Sequence, residues 1–213
     1  MKEGDVLFST AYMPPIAYMA AMMRQTDATI EVKETYSKQT YRNRCTILTA
    51  NGPLDLTIPV SRPSGNRSRT EEIIISYAEP WNVRHWRAIE SAYSASPYFL
   101  YYRDGIEQLL KKRHERLVEL NTSLTEHLIK TIKGQTQLKL SDDYMPAHSV
   151  ANDYRNTFSP KRIIPTGCFE EYPQVFEYKY KFQANLSIID LLFNLGPESR
   201  SYLQNIPIEK IIG

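Results

Sequence analysis

Within its first 32 residues the chain sets down a short apolar strand, a helix and a second, β-branched strand, and this succession restricts the fold more than any other feature. Val6-Leu7-Phe8-Ser9-Thr10 reads as a buried strand, ended by Tyr12-Met13-Pro14-Pro15. Ile16 to Met23 then has helix-forming composition, and Ala28-Thr29-Ile30-Glu31-Val32 alternates as a strand does. Two strands joined through a helix pair in parallel across a crossover, so the front of the protein reads as α/β.

Further along, Thr46 to Val60 has the pattern of a hairpin about Asn51-Gly52, with Leu54, Leu56, Ile58 and Val60 on one side. Pro53 has no N–H with which to close a tight turn onto Ala50, so a longer or bulged loop is expected. Ser61 to Thr70 is rich in Ser, Arg, Gly and Pro, carries Arg62, Arg67 and Arg69, and reads as a mobile loop before Ile73-Ile74-Ile75 resumes a strand pattern. Pro80 suits a first helical turn, and Trp81, His85, Ile89 and Ala92 then share one face of a helix that should end before Pro97. A helical stripe runs from Ile106 to Ile132, interrupted at Arg113 and stopped by Gly134. Ser141 to Pro173 has no sustained period and reads as long loops with short elements. Leu186 to Leu195 is a buried helix for which Asn185 is the expected cap.

The whole is expected to be an α/β fold, with a mixed sheet from the N-terminal half and helices mainly from the C-terminal half. One domain spans 1–213: residues 1–100 form the α/β core with its hairpin, and 101–213 form a mostly helical and irregular portion packed on it. A chain of 213 residues buries a sufficient core without covalent staples. The two cysteines, Cys45 and Cys168, lie far apart without metal-type spacing and read as buried thiols. The 26 basic and 24 acidic residues leave a formal charge of +2, which supplies no broad field for nucleic acid. The charged amino end and the polar breaks after it give neither a signal peptide nor a membrane span, so a cytoplasmic protein is expected.

Several segments in order resemble the WbqC-like family of bacterial proteins, often found among genes for surface polysaccharides. They are Tyr12-Met13-Pro14-Pro15-Ile16-Ala17-Tyr18, Tyr41-Arg42-Asn43-Arg44-Cys45, Leu54 to Val60, Trp81-Asn82-Val83-Arg84-His85-Trp86, Tyr93 to Phe99 and Asn185 to Leu192. Thr10-Ala11 stands where many relatives carry Gln-Pro, which leaves any ligand contact of that Gln open. The resemblance implies a role in making or decorating an O-antigen-like surface glycan, through transfer of an acyl or aminoacyl group to an amino-sugar precursor. The alternative is a non-catalytic protein that binds a sugar nucleotide or a partner enzyme.

His85 is the candidate acid/base, since an imidazole exchanges protons near neutrality and Trp81 with His85 matches the family's Trp-x-x-x-His pattern. A hydrogen-bonded core histidine is the competing reading, because Trp81 and Ile89 share its face. Asn43 and Arg44 offer an amide and a planar fork of donors for a carboxylate, phosphate or sugar hydroxyl, against strand-edge bonding and a surface ion pair. Lys38 adds a cation, and Tyr12, Tyr18 and Tyr41 offer rings with polar tips to wall a pocket, against ordinary packing. Gln174, near Tyr172, and Asp190 are placed to complete a polar site, although Asp190 also suits a buried anchor for the last helix. Cys168 with His148 and Asp153 has the composition of a thiol triad, with nothing in the sequence to bring the three together. No phosphate-loop signature and no paired histidine spacing occurs, so no metal is expected, and the sequence names no cofactor. The expected partner is a small-molecule substrate, a sugar nucleotide or acyl donor, with homo-oligomerisation left open.

Overall fold

The structure is a computed structural model, and it describes residues 6–146, 150 and 152–212. Strand β1 (Val6–Ser9), helix α1 (Ile16–Met22) and strand β2 (Asp27–Glu31) form the expected opening unit, with β1 and β2 parallel and Leu7 opposite Thr29. The hairpin follows as β3 (Arg44–Thr49) and β4 (Gly52–Thr57), then the short antiparallel pair β5 (Val60–Ser61) and β6 (Ile74–Ile75). Helices α2 (Trp81–Tyr93), α3 (Phe99–Lys111) and α4 (Leu117–Thr131) come next, followed by β7 (Gln137–Leu140) and β8 (Asn152–Asp153). Helices α5 (Glu177–Tyr180), α6 (Ile188–Leu195), α7 (Ser199–Asn205) and α8 (Ile208–Ile212) complete the chain.

The class is α/β, with most helices in the C-terminal half. Parallel and antiparallel pairing are segregated rather than mixed in one sheet. The main sheet has the order β7-β2-β1-β8 and is parallel throughout, while the two antiparallel pairs stand apart from it. Two of its strands are drawn from the C-terminal half, so the boundary at residue 100 divides the sheet. Every residue of α1 is buried, because α6, α7 and α8 cover the helix that crosses from β1 to β2. Its Ala, Met and Ile side chains suit that position, offering no charge to desolvate.

Several local expectations are corrected. The hairpin turn is tight, because Ala50 and Asn51 are its central residues and Thr49 pairs with Gly52. The closing amide therefore belongs to Gly52, which takes a φ of +100°, and Pro53 need not supply one. The 61–70 loop is fastened in its second half: Tyr36 N–H bonds the Ser68 carbonyl and Thr70 N–H bonds the Glu34 carbonyl. The interruption expected at Arg113, by contrast, is present as a break at 112–116 between α3 and α4, where the Tyr77 hydroxyl bonds both the N–H and the carbonyl of His114 and Arg113 lies over the Tyr77 ring. Asn185 does not cap α6, whose cap position is Ser187; its Oδ1 accepts the Ala17 N–H at 2.9 Å and caps α1 instead.

Candidate functional site

Most of the residues singled out in the sequence fall in three places. In the first, the Tyr12 hydroxyl and His85 Nδ1 are 2.9 Å apart in the core, with Trp81 edge-on to the imidazole. His85 is 6% exposed, and it also bonds the backbone at Thr57. Burial lowers its pKa to about 4, outweighing the Thr57 bond that opposes it, so the ring is neutral near pH 7. This is the bonding of a core histidine. Because the folded-state pKa is depressed, the neutral ring stabilises the fold above about pH 6.5, and that contribution is lost as the pH falls toward 4. A His85→Gln variant, titrated by thermal unfolding between pH 7 and pH 4 on the order of half-unit steps, is expected to show a shallower loss of stability than wild type. Parallel profiles would contradict this.

At the second place, the base of the hairpin, Asn43 Nδ2 donates to the Ile58 carbonyl at 2.9 Å and Ile58 N–H donates to the Asn43 carbonyl at 2.8 Å. Arg44 reaches Asp55 across the hairpin at 3.2 Å, a partly exposed pair. Tyr41 is half-buried, with its pKa pushed up to about 12 by burial, and Lys38 is exposed. Tyr18 stands apart from all three places, donating its hydroxyl from α1 to the Ser9 carbonyl at the end of β1 at 2.7 Å. The third place is a buried knot in which Asp190 accepts from Tyr93, Tyr172 and Gln174 at 2.9, 2.6 and 3.0 Å. Gln174 is further tied to Gln183 through both ends of its amide. Cys45 and Cys168 are buried free thiols; His148 lies outside the described residues, so the thiol triad has no described geometry.

The feature with the character of a binding site is one the sequence did not assemble. At the carboxyl ends of β2 and β8, a cleft of about 490 Å³ is lined by Lys33, Glu34, Arg67, Arg69, Tyr144 and Arg155, together with Thr35 and Asn156. The chain runs from β1 to β2 on one side and returns to β8 on the other, and open parallel sheets bind ligands at the carboxyl edge where strand order reverses in this way. The floor is a set of buried ions. Glu31, fully buried at the end of β2, accepts from Ser141 Oγ, the Lys33 N–H and the Met145 N–H at 2.7, 2.8 and 2.8 Å, and lies 3.8 Å from Arg155. Arg155 forks onto Asp153 and also donates to the Met145 carbonyl. Arg42 forks onto Glu34 at 3.0 and 2.5 Å.

Burial raises the pKa of Glu34, against the attraction of Arg42. On the rim the cations are less committed: Lys33 pairs with Glu71 at 2.8 Å, Arg69 comes only within 4.0 Å of Glu71, and Arg67 forms no ion pair among the described residues. The sequence did show Arg67 and Arg69 in a Ser/Gly/Pro-rich loop. Their convergence with Lys33 and Arg155 depends on the sheet order. Among the described residues no group of three or more His, Cys, Asp or Glu is arranged to hold a metal ion, and no helix is long and apolar enough to cross a membrane.

Over 194 residues the chain is 29% identical to the uncharacterized protein Rv1507c of Mycobacterium tuberculosis, covering 79% of this chain and 84% of the relative. No solved structure matches it. Residues 10–163, which contain the whole carboxyl-edge cleft and leave out Gln174 and Asp190, match a family described as WbqC-like. The chain belongs to the WbqC-like protein family.

Proposed function

We propose that this chain binds a phosphorylated carbohydrate precursor in the carboxyl-edge cleft and acts, in the bacterial cytoplasm, in the assembly of a surface glycan. The observation that carries the binding half is the cation-lined cleft at the strand-order reversal, with Arg67 on its rim outside any ion pair among the described residues. A phosphate oxygen meets guanidinium donors with bidentate geometry, and the buried pairs beneath hold Arg42 and Arg155 in place without offering their charge freely. The glycan context comes from the family likeness.

Within the same proposal, the sugar amine attacks the acyl carbon of an activated acyl or aminoacyl donor, the new C–N bond replaces the bond to the donor's leaving group, which departs with that electron pair, and the amine's proton must pass to a protein group. The carboxyl that lines the cleft is Glu34, and it is the group we assign to that task. His85 is buried, bonded to the Tyr12 hydroxyl and to the backbone at Thr57, and is given no role in it.

The test is calorimetric titration of glucosamine 1-phosphate into wild type, Arg67→Ala and Arg69→Ala. Both side chains are exposed, so the fold is expected to survive either change. A charge-assisted hydrogen bond is worth about 1.5–3 kcal/mol, so each variant should bind roughly tenfold or more weakly, and affinity should fall with added salt. Saturable binding that is indifferent to both arginines would sink this reading.

A further inference from the structure

The aromatic ring in the cleft points to a more specific ligand. Tyr144 lines the cleft and is 54% exposed as a residue, and the Arg155 guanidinium lies over the ring, 5.9 Å from its centroid. The backbone that carries the ring is clamped on its far side: Met145 N–H donates to Glu31 at 2.8 Å and the Met145 carbonyl accepts from Arg155 at 2.8 Å. Glu31 is fully buried and Arg155 is 5% exposed, so both clamps are built into the protein interior. A half-exposed tyrosine is thus presented from a fixed backbone, beside the cations that suit a phosphate.

We infer that Tyr144 is a stacking platform for a planar base, so that the ligand of the cleft is a nucleoside diphosphate carrying its sugar, with the diphosphate against Arg67 and Arg69. This rests on the phosphate-binding reading above and adds the base to it. An aromatic ring can also pack on the C–H face of a sugar, and the guanidinium decides between the two. A cation over one face draws π density toward itself and leaves the open face less negative. Sugar C–H groups are then held less well, whereas the π face of a base stacks favourably. The cleft volume of about 490 Å³ is of a size that accepts a nucleotide.

The experiment measures the affinity of uridine diphosphate, inorganic pyrophosphate and glucosamine 1-phosphate for wild type, Tyr144→Ala, Tyr144→Phe and Arg67→Ala. In wild type, uridine diphosphate should bind about tenfold or more tightly than pyrophosphate, the margin expected of one stacked base. Tyr144→Ala should erase that margin while leaving pyrophosphate affinity unchanged, which also shows that the cleft is intact; Tyr144→Phe should retain the margin, and Arg67→Ala should weaken all three ligands. Equal binding of uridine diphosphate and pyrophosphate by wild type overturns the base assignment and leaves the phosphate reading standing. So does a Tyr144→Ala variant that loses glucosamine 1-phosphate instead. Failure of all three ligands to bind overturns the phosphate reading and the base assignment together.

Discussion

Truncation of Asp190 to Ala is expected to destabilise the fold by about 4 kcal/mol, since each buried donor left without a partner costs about 1–3 kcal/mol. Three donors converge on this carboxyl, from Tyr93, Tyr172 and Gln174, and it is 1% exposed, so the bonds are made out of bulk water. Burial raises its pKa, and the bonds from Tyr172, Tyr93, Gln174 and Asn194 oppose that rise. The ionised carboxyl is therefore itself a burden on the fold, and its removal returns something. That return is smaller than the loss of the shared acceptor, because the donors stay buried after truncation. Asp190→Asn keeps the shape, and a tyrosine hydroxyl can turn to accept from the new amide, so its cost should be roughly 1–2 kcal/mol.

The sign of the pH dependence separates the two contributions. A carboxyl with a raised folded-state pKa contributes fully below its unfolded value near 3.9, and that contribution is lost as the pH rises through the folded value. Urea denaturation of wild type and Asp190→Asn, from about pH 4 to pH 8, should therefore show the wild-type advantage shrinking as the pH rises. A pH-independent gap would contradict the raised pKa. An Asp190→Ala variant within about 1 kcal/mol of wild type would show that the knot contributes little.

What the sequence made legible was local. The period-2 alternation of Ala28 to Val32 and the uncharged run after Pro15 announced a strand and a helix whose partners lie next to them in the chain. Arg113 marked a break in the apolar stripe, and a break is there. Strand β7 was missed because Gln137–Leu140 is short, half polar and largely exposed, and gains its strand identity from pairing with β2. Strand β8 is two residues long and carries no period at all. With those two strands unseen, the carboxyl edge of the sheet was unseen as well. The cleft draws on Lys33 and Glu34 after β2, on Arg67 and Arg69 in a loop, and on Tyr144 and Arg155 on either side of β8. No window of sequence holds more than two of them. His85 illustrates the converse: its neighbours Trp81 and Ile89 announce an apolar face in the sequence, and the imidazole lies buried on that face. Asn43 and Arg44 carry donors that suit a ligand or a strand edge and surface ion pair, and each is engaged at the hairpin by a partner that register alone brings opposite or near it.

Gly196→Ala is the second change with a large expected effect, about 3 kcal/mol of destabilisation from backbone strain and steric overlap combined. Gly196 ends α6 at φ +55° and ψ −122°, a conformation outside the left-handed helical basin that Asn or Asp tolerates, and one that glycine reaches at little steric cost. A Cβ there would lie 2.5 Å from both Cγ and Cδ1 of Tyr98, inside any normal contact. Tyr98 has little freedom to retreat, because its N–H is bonded to the Phe193 carbonyl at 3.0 Å and its ring packs beside Tyr101 and Tyr102. The two terms are separable by a second substitution. Tyr98→Ala removes the ring and so the overlap; introducing Gly196→Ala into that background should cost only the strain term, roughly 1–2 kcal/mol. Equilibrium denaturation of the four proteins gives both terms directly. An undiminished penalty in the Tyr98→Ala background would assign the whole effect to the backbone, and a penalty of zero there would assign it to the ring. The position matters beyond its own turn. Gly196 lets α6 fold back into α7, and α6 and α7 both cover α1, the helix that connects β1 to β2. Loss of that turn should therefore loosen α1 before the hairpin, and hydrogen exchange should show protection falling first at Met19 to Met22.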